Sequence, residues 1–390
     1  MYNQKTYELG TNRSVIRELA EYGKQRAAIV GPENVFDFSI GNPSIPAPAR
    51  INDTIREILL DTDSLAIHSY TSATGNLDTR QAIADDLNDR FGTSITPQEL
   101  TIGCGTSQEL VAVFTALSVE NSEILTIAPY FPEYQVYVEH AGSKFKVVPA
   151  DIPGFQINLE ALESMLNPNT VAVIINSPNN PSGAVYSAQT LEHLACILTR
   201  KAAEYGHPIY IVADEPYREL VYGKPAPFIP TIYRDTIVCY SYSKSLSLPG
   251  ERIGYIYIPR QATDSEALAA AISGGTRLTG HICAPSLLQQ VIARCATLRP
   301  DMTAYAQNRK ALSEGLRAAG YEMAEPDGAF YLFVKAPGGD AMAFCEKAMA
   351  KDVLVVPGDI FGCPGYLRVC YCVSYDTILK ALPIFRELNK

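Results

Sequence analysis

Side chains able to bind anions and transfer protons follow short apolar runs at four places in this 390-residue sequence. The runs and the segments after them are ILTIA before Pro129–Phe131, VAVII before Asn176–Gly183, IYIVA before Asp214–Tyr217, and TIVCY before Ser241–Lys244. Such runs are typical of strands that are covered on both faces of a parallel sheet. Because ligands bind at the carboxyl ends of such strands, we expect an amine, a carboxylate and several hydrogen-bonding groups to meet in one crevice.

Each of these residues also has an ordinary explanation when it is taken alone. Asp214 would serve as a helix cap, Lys244 as a solvated loop residue, and Arg252 as half of a surface ion pair. The Gly103-Cys-Gly105 loop lacks the third glycine of a dinucleotide-binding fingerprint. Only the joint occurrence of polar segments at every predicted strand end favours a shared site.

The elements that would position these residues alternate between apolar runs, polar loops and helical stripes, which favours an α/β fold with a mostly parallel sheet. We predict helices over Ser107–Ser118 and Ser187–Tyr205. Residues 47–298 are expected to form a large cofactor-binding domain. Residues 299–390 are expected to form a smaller α+β domain, against which the segment 1–46 packs. The elements predicted in the smaller domain are helices Tyr305–Ala319 and Ala341–Ala350 and strands Ala329–Val334, Val353–Val356 and Tyr366–Ser374.

Composition argues against several other functions. The formal net charge of −10, from 32 basic and 42 acidic residues, does not favour nucleic-acid binding, which needs clustered cations. The N-terminus carries no apolar signal-peptide core. The nine cysteines include no CxxC, although Cys370 and Cys372 are close, and we interpret them as reduced thiols of a cytoplasmic protein. The five histidines form no HExxH motif, so we expect no metal site.

Taken together, the motifs resemble those of the class I/II aminotransferases, the aspartate-aminotransferase-like group of fold type I. The resemblance covers nearly the whole chain in the order of the family. It is carried by NSPNNPSG (Asn176–Gly183), DEPY (Asp214–Tyr217), SYSKSLSLPGER (Ser241–Arg252) and YLRV (Tyr366–Val369). It implies a seven-stranded, mostly parallel sheet flanked by helices, and pyridoxal 5′-phosphate as the cofactor.

The resemblance also implies catalytic and cofactor-binding roles for residues of these motifs. Lys244 would hold the cofactor covalently and act as general acid and base, while Asp214 would keep the cofactor's ring nitrogen protonated. Asn180 and Tyr217 would donate hydrogen bonds to the ring's phenolic oxygen. The remaining cofactor contacts are the ring-stacking Phe131, with Tyr134 behind it, and the phosphate-binding Gly105, Thr106, Ser107, Ser241 and Arg252.

Substrate and partner contacts are implied in the same way. Arg368 would grip the substrate carboxylate, with Gly41 and Asn180 also in the substrate site. Tyr70 would reach the cofactor phosphate of a neighbouring subunit, which implies a homodimer with shared active sites.

The substrates expected from the resemblance are small molecules: an aspartate-, alanine- or aromatic-type L-amino acid and a 2-oxo acid acceptor such as 2-oxoglutarate. Arg277 and His281 are candidates for contacting the distal end of the substrate. A C–S β-lyase on the same fold is the main alternative. A transcription regulator would need an additional DNA-binding domain, and a dehydrogenase would need the missing glycine fingerprint.

Overall fold

The computed structural model describes residues 1–11, 14–223 and 225–390. Its β-strands are β1 Phe36–Asp37, β2 Leu100–Gly103, β3 Glu123–Ile127, β4 Lys144–Val148, β5 Thr170–Asn176, β6 Tyr210–Asp214, β7 Thr236–Ser241, β8 Gly254–Tyr257, β9 Tyr331–Lys335, β10 Val353–Leu354, β11 Val356–Pro357 and β12 Tyr366–Cys370. Its α-helices are α1 Gln4–Thr11, α2 Val15–Val30, α3 Ala49–Asp61, α4 Ser64–His68, α5 Leu77–Phe91, α6 Thr106–Leu117, α7 Glu133–Ala141, α8 Leu159–Met165, α9 Ala188–Tyr205, α10 Tyr242–Ser245, α11 Ser265–Leu278, α12 Ser286–Cys295, α13 Thr303–Ala318, α14 Ala341–Met349 and α15 Tyr375–Leu388.

The large sheet has seven strands in the order β2-β8-β7-β6-β5-β3-β4. Strands β3 to β7 are parallel to their neighbours, whereas β8 runs antiparallel to both β7 and β2. The central strands β5, β6 and β7 are buried along almost their whole length, as expected for strands covered by helices on both faces. The predicted α/β class and the seven-stranded, mostly parallel sheet are confirmed.

The α9 helix shows how the local sequence sets these elements. Its first turn is capped by the Ser187 hydroxyl, which accepts a hydrogen bond from the backbone N–H of Thr190 at 3.0 Å. The helix ends at Gly206, whose positive φ of 78° is a conformation that glycine adopts without steric cost. Between these limits the predicted stripe of Leu191, Leu194, Ala195 and Leu198 is buried against the sheet.

A second, smaller sheet has three antiparallel strands in the order β11-β12-β9. The predicted single strand Val353–Val356 is wrong in one respect. Val353–Leu354 pairs in parallel with Phe36–Asp37, whereas Val356–Pro357 pairs with β12. Val355 lies between the two strands, so one segment contributes to two sheets. The pairing with Phe36–Asp37 also joins the N-terminal part of the chain to the C-terminal part. The division of the chain at residues 46 and 298 stays a prediction.

Among the described residues, none of the helices has the length and apolar character that crossing a membrane requires. The described residues likewise contain no group of three or more His, Cys, Asp or Glu side chains that could hold a metal ion.

Candidate active site

A cavity of about 260 Å³ lies where β5, β6 and β7 end. Eleven of the residues predicted for the site line it, whereas Gly105, Tyr70, Tyr134, Arg277 and His281 do not. Those that line it are Gly41, Thr106, Ser107, Phe131, Asn180, Asp214, Tyr217, Ser241, Lys244, Arg252 and Arg368. The register of the sheet explains the convergence, because Asn176 at the end of β5 pairs with Asp214 at the end of β6, and Asp214 pairs with Cys239 of β7.

Asp214 presents a buried carboxylate to the cavity, and one of its two oxygens lacks a hydrogen-bond partner. Its Oδ2 accepts a short hydrogen bond from the Tyr134 hydroxyl, and Asn176 Nδ2 donates to its backbone carbonyl at 2.8 Å. Its Oδ1 is buried and has no hydrogen-bond partner among the described residues. Burial raises the pKa of Asp214 to about 7, although the Tyr134 hydrogen bond opposes this. A cationic group placed against Oδ1 would satisfy the unpaired oxygen and favour its ionised form.

Lys244 brings a partly buried amine to the same cavity. It lies in the short helix α10 directly after β7, and its Nζ donates a hydrogen bond to the Gly41 carbonyl at 2.7 Å. Burial is the main cause of the lowered pKa of Lys244, since a charged ammonium loses its hydration there. A lysine with a lowered pKa provides the neutral amine that nucleophilic and general-base chemistry needs.

An anion-binding cup forms beside this amine. The backbone of Thr106 and Ser107 opens the twelve-residue helix α6, whose N-terminal N–H groups favour negative charge. Gly105 precedes Thr106 and does not itself line the cavity. Its φ is +87°, and a Cβ at this position would come within 2.8 Å of Arg252 Nη2. Arg252 itself has a φ of +53°, a strained conformation for a residue with a side chain. This backbone conformation of Arg252 places its guanidinium beside Gly105, at the start of α6.

Arg368 is a second cation, buried to 2% exposure in β12. Its Nη1 donates to Asn180 Oδ1 at 2.9 Å and its Nη2 to the Ser39 carbonyl at 2.5 Å. The guanidinium lies between the rings of Tyr331 and Phe361, at 4.8 and 5.0 Å from their centroids. Its Nε has no partner, and the acceptors of its other nitrogens among the described residues are an amide and a backbone carbonyl, not a carboxylate. Since a buried unpaired charge is costly, this arginine is suited to bind an anion that enters the cavity.

Three predicted candidates lie outside the cavity. Tyr70 is 98% exposed on the loop after α4. Arg277 and His281 are exposed at and just beyond the end of α11, and neither lines the cavity. Within one chain the structure therefore brings none of these three to the site.

Two residues of the site were missed because the sequence does not show how strands pair. Tyr331 of β9 lines the cavity, and its hydroxyl hydrogen-bonds that of Tyr217 at 2.8 Å. A Cβ at Gly41 would come within 2.0 Å of the Tyr331 hydroxyl, so this position requires glycine. Asn176 was quoted only as part of a motif, yet it orients both Asp214 and the backbone of Asn180, whose N–H donates to Asn176 Oδ1 at 2.8 Å.

A third missed residue, Glu109, is completely buried in the first turn of α6. Gly103 and Gly254 pair across β2 and β8, and a Cβ on either glycine would lie 2.5 Å from the Glu109 side chain. Neither carboxyl oxygen has a hydrogen-bond partner among the described side chains and backbone. Burial raises the pKa of Glu109 well above its usual value, and the nearby Asp214 charge adds to this. The sequence did contain a sign of this burial, because Glu109 lies at helical spacing from Ala112 and Val113, on the buried apolar face of α6.

Comparison with known proteins places the chain in a family. Residues 33–383 match the family model "Aminotransferase class I and II". Aspartate aminotransferase of Thermotoga maritima is 30% identical over 92% of both chains, and aspartate/prephenate aminotransferase of Thermus thermophilus is 30% identical over 90% of both. A crystal structure of an aminotransferase from Eubacterium rectale is 53% identical, with a TM-score of 0.97 over 100% of this chain and 98% of that one.

The fold and the site define an enzyme that transfers amino groups between small molecules with the help of pyridoxal 5′-phosphate. The chain belongs to the class I and II aminotransferase family. The resemblance to this family that its motifs indicated is confirmed. The residues present fit the cofactor, since the cavity offers a partly buried amine with a lowered pKa, an unpaired carboxylate oxygen and an anion cup.

Proposed function

We propose that this enzyme transfers the amino group of an aspartate-, alanine- or aromatic-type L-amino acid to 2-oxoglutarate, with Lys244 as the residue that holds the cofactor. The observation that carries the proposal is the placement of Lys244, Asp214 and Arg368 around one cavity. Pyridoxal phosphate, when bound, supplies an electron-withdrawing ring that makes the Cα proton of an amino acid acidic.

Holding the cofactor would fall to the residues at the strand ends. Lys244 Nζ would be its covalent attachment point, and the unpaired Oδ1 of Asp214 would face the ring nitrogen. Phe131 would stack on the ring, and the hydroxyl of Tyr217 and the amide of Asn180 would contact its phenolic oxygen. The phosphate would lie in the cup formed by Gly105, Thr106, Ser107, Ser241 and Arg252, where a helix N-terminus and a guanidinium both favour negative charge.

Substrate orientation and proton transfer would follow from the rest of the site. Arg368 already directs Nη1 and Nη2 at two oxygen acceptors, so its fork would bind the two oxygens of an α-carboxylate. The Gly41 backbone, 2.7 Å from Lys244 through its carbonyl, would border that carboxylate. With its pKa lowered by burial, Lys244 Nζ would take the proton from the substrate Cα and return it as the amino group is transferred.

A homodimer with shared sites belongs to this proposal. Tyr70, at 98% exposure, would complete the phosphate cup of the partner subunit. Apolar side chains exposed on the consecutive helices α3 and α4, just before Tyr70 in the chain, support such an interface, with Leu60 and Leu65 at 84% and 77% exposure. A cytoplasmic location stays a prediction from the sequence.

The test is a panel of L-amino acids, each given to the holoenzyme with and without 2-oxoglutarate. Absorbance would follow the conversion of the cofactor to its amine form, and chromatography would identify the products. We expect at least one donor of the aspartate, alanine or aromatic type to yield glutamate, and only when 2-oxoglutarate is present. Release of pyruvate and ammonia from cystathionine, without amino transfer to the 2-oxo acid, would favour the C–S lyase and contradict the proposal.

A further inference from the structure

Two thiols lie in contact at the end of the strand that carries Arg368. Cys370 is the last residue of β12, and the Sγ atom of Cys372 lies 2.8 Å from that of Cys370. The two side chains are 0% and 6% exposed, and all nine cysteines of the chain are free of disulfides. The pair is therefore a reduced dithiol whose sulfur atoms are already adjacent.

The dithiol is attached to the segment Ser39–Gly41, which borders the cavity. Three consecutive carbonyls of this segment accept hydrogen bonds from three side chains, in order Arg368 at 2.5 Å, Cys372 at 3.5 Å and Lys244 at 2.7 Å. While both thiols are protonated, Cys370 can donate to Cys372, and Cys372 donates its single hydrogen to the Ile40 carbonyl. Cys372 can make that contact only while it retains this hydrogen. A change in the chemical state of the thiols is thus transmitted directly to the backbone beside Gly41.

The surroundings make the two thiols chemically different. Burial raises the pKa of Cys370. It is outweighed by the hydrogen bond that Cys372 donates once Cys370 has lost its proton and by the positive charges of Arg368 and Lys244, so the net pKa is lowered. The pKa of Cys372 is raised well above its usual value by burial and by its hydrogen bond to Cys370. Cys370 is accordingly the more nucleophilic thiol once a local opening of the fold admits peroxide to its buried sulfur, and Cys372 is the one beside it that can resolve the product.

We propose that Cys370 and Cys372 are an oxidant-sensitive modification site, which hydrogen peroxide converts into a disulfide. The Cys370 thiolate attacks one peroxide oxygen, the O–O bond breaks, and the departing hydroxide takes a proton to become water, which leaves a sulfenic acid on Cys370. The Cys372 sulfur then displaces the hydroxyl group from the Cys370 sulfur, and that hydroxide leaves as water with the Cys372 proton. Two thiols and one peroxide give one disulfide and two waters.

We expect the disulfide to weaken binding of the amino donor more than binding of the cofactor. Without its hydrogen, Cys372 no longer donates to the Ile40 carbonyl, and Ser39–Gly41 loses one of its three side-chain contacts. Loss of one neutral hydrogen bond corresponds to a roughly 3- to 10-fold rise in KM for the amino donor. Of the proposed cofactor-binding residues that the structure describes, Lys244 alone hydrogen-bonds to Ser39–Gly41. The rise in KM rests on the proposed roles of Gly41 and Arg368, whereas formation of the disulfide does not.

The experiment treats the holoenzyme with hydrogen peroxide, alkylates the remaining thiols, and identifies the modified peptides by mass spectrometry. We expect loss of two alkylatable thiols per chain, a Cys370–Cys372 cross-link within one peptide, and full reversal by dithiothreitol. Kinetics on the same samples should show the rise in KM and its reversal, with the cofactor's visible absorbance retained. Irreversible oxidation of either thiol without a cross-link, or two unreacted thiols at peroxide concentrations that oxidise Cys196 on the surface, would overturn the proposal.

Two serine variants separate the dithiol from other thiols. Cys345 is a matched control, since its thiol also donates to a backbone carbonyl at 3.5 Å, but its pKa is raised to about 12 by burial. We expect C345S to respond to peroxide as the wild type does, and C370S to show neither the cross-link nor the reversible rise in KM. A reversible rise in KM that persists in C370S would contradict the proposal. The cross-link in the wild type needs no variant, so the proposal stays testable even if C370S fails to fold.

Discussion

Arg368→Lys perturbs the substrate site while keeping its charge. The guanidinium of Arg368 makes two hydrogen bonds to oxygen, through Nη1 to Asn180 and through Nη2 to Ser39. In the proposed complex this fork turns to the two carboxylate oxygens of the amino acid. A lysine offers one ammonium in its place and cannot form both parallel bonds. A hydrogen bond to a charged group contributes roughly 1.5–3 kcal/mol, so losing one should weaken amino-acid binding roughly 10- to 150-fold.

The assay measures KM for the amino donor, and the apparent Kd from the absorbance change when donor is added without acceptor. Both should rise in R368K, whereas the cofactor content should not change. Arg309→Lys is the matched control: Arg309 Nη1 donates to the Pro326 carbonyl at 2.8 Å and its guanidinium stacks 4.3 Å from the Tyr222 centroid, outside the cavity. If R368K bound the donor as tightly as R309K does, Arg368 would have no part in carboxylate recognition.

Three further predictions concern the carboxylates and the subunit interface. In Asp214→Asn the unpaired Oδ1 loses its negative charge, so turnover should fall on the order of 100-fold with the cofactor still bound; normal turnover would remove Asp214 from the mechanism. The pKa of Glu109 in the folded chain lies above its unfolded value of 4.5, so its contribution to stability is complete below that pH and declines above it, by up to about 1.4 kcal/mol per pH unit. Glu109→Gln should flatten this decline in urea unfolding at pH 5 to 8, measured at equal cofactor occupancy, and an identical pH slope would contradict the assignment. Mixing inactive Lys244→Ala with weakened Tyr70→Ala should restore activity through mixed dimers with one intact site, whereas no restoration would argue against shared sites.

Much of the fold was predictable because it depends on local patterns. The apolar runs that became β3, β5, β6 and β7 are short and rich in β-branched residues, and polar segments mark their ends. The ends of α9 were also readable, since Ser187 caps one end and Gly206 terminates the other. In these places the physical cause lies within a few residues of its effect.

The features that could not be predicted from the sequence depend on pairing between segments that are distant along the chain. Tyr331 reaches the cavity because β9 pairs with β12 so that Tyr331 opposes Cys370, two residues from Arg368. The single predicted strand Val353–Val356 became β10 and β11 because two different partners, Phe36–Asp37 and β12, pair with its halves. Neither partner can be assigned from the run itself, since a short apolar segment fits equally well in either sheet.

Glu109 is a different kind of omission. Its position on an apolar helical stripe was visible, but the room for its carboxyl comes from Gly103 and Gly254 on two other elements. An acid in the first helical turn is ordinarily explained by the helix dipole, so its position in the sequence alone does not indicate complete burial.

The most direct test of the account is to locate the bond between cofactor and protein. Borohydride reduction of the holoenzyme fixes the cofactor on the lysine that holds it, and mass spectrometry of the digest then identifies that residue. The account predicts a cofactor-modified peptide containing Lys244 in the wild type and no modified lysine in Lys244→Ala. Modification of any other lysine in the wild type would contradict the assignment of the cavity as the active site.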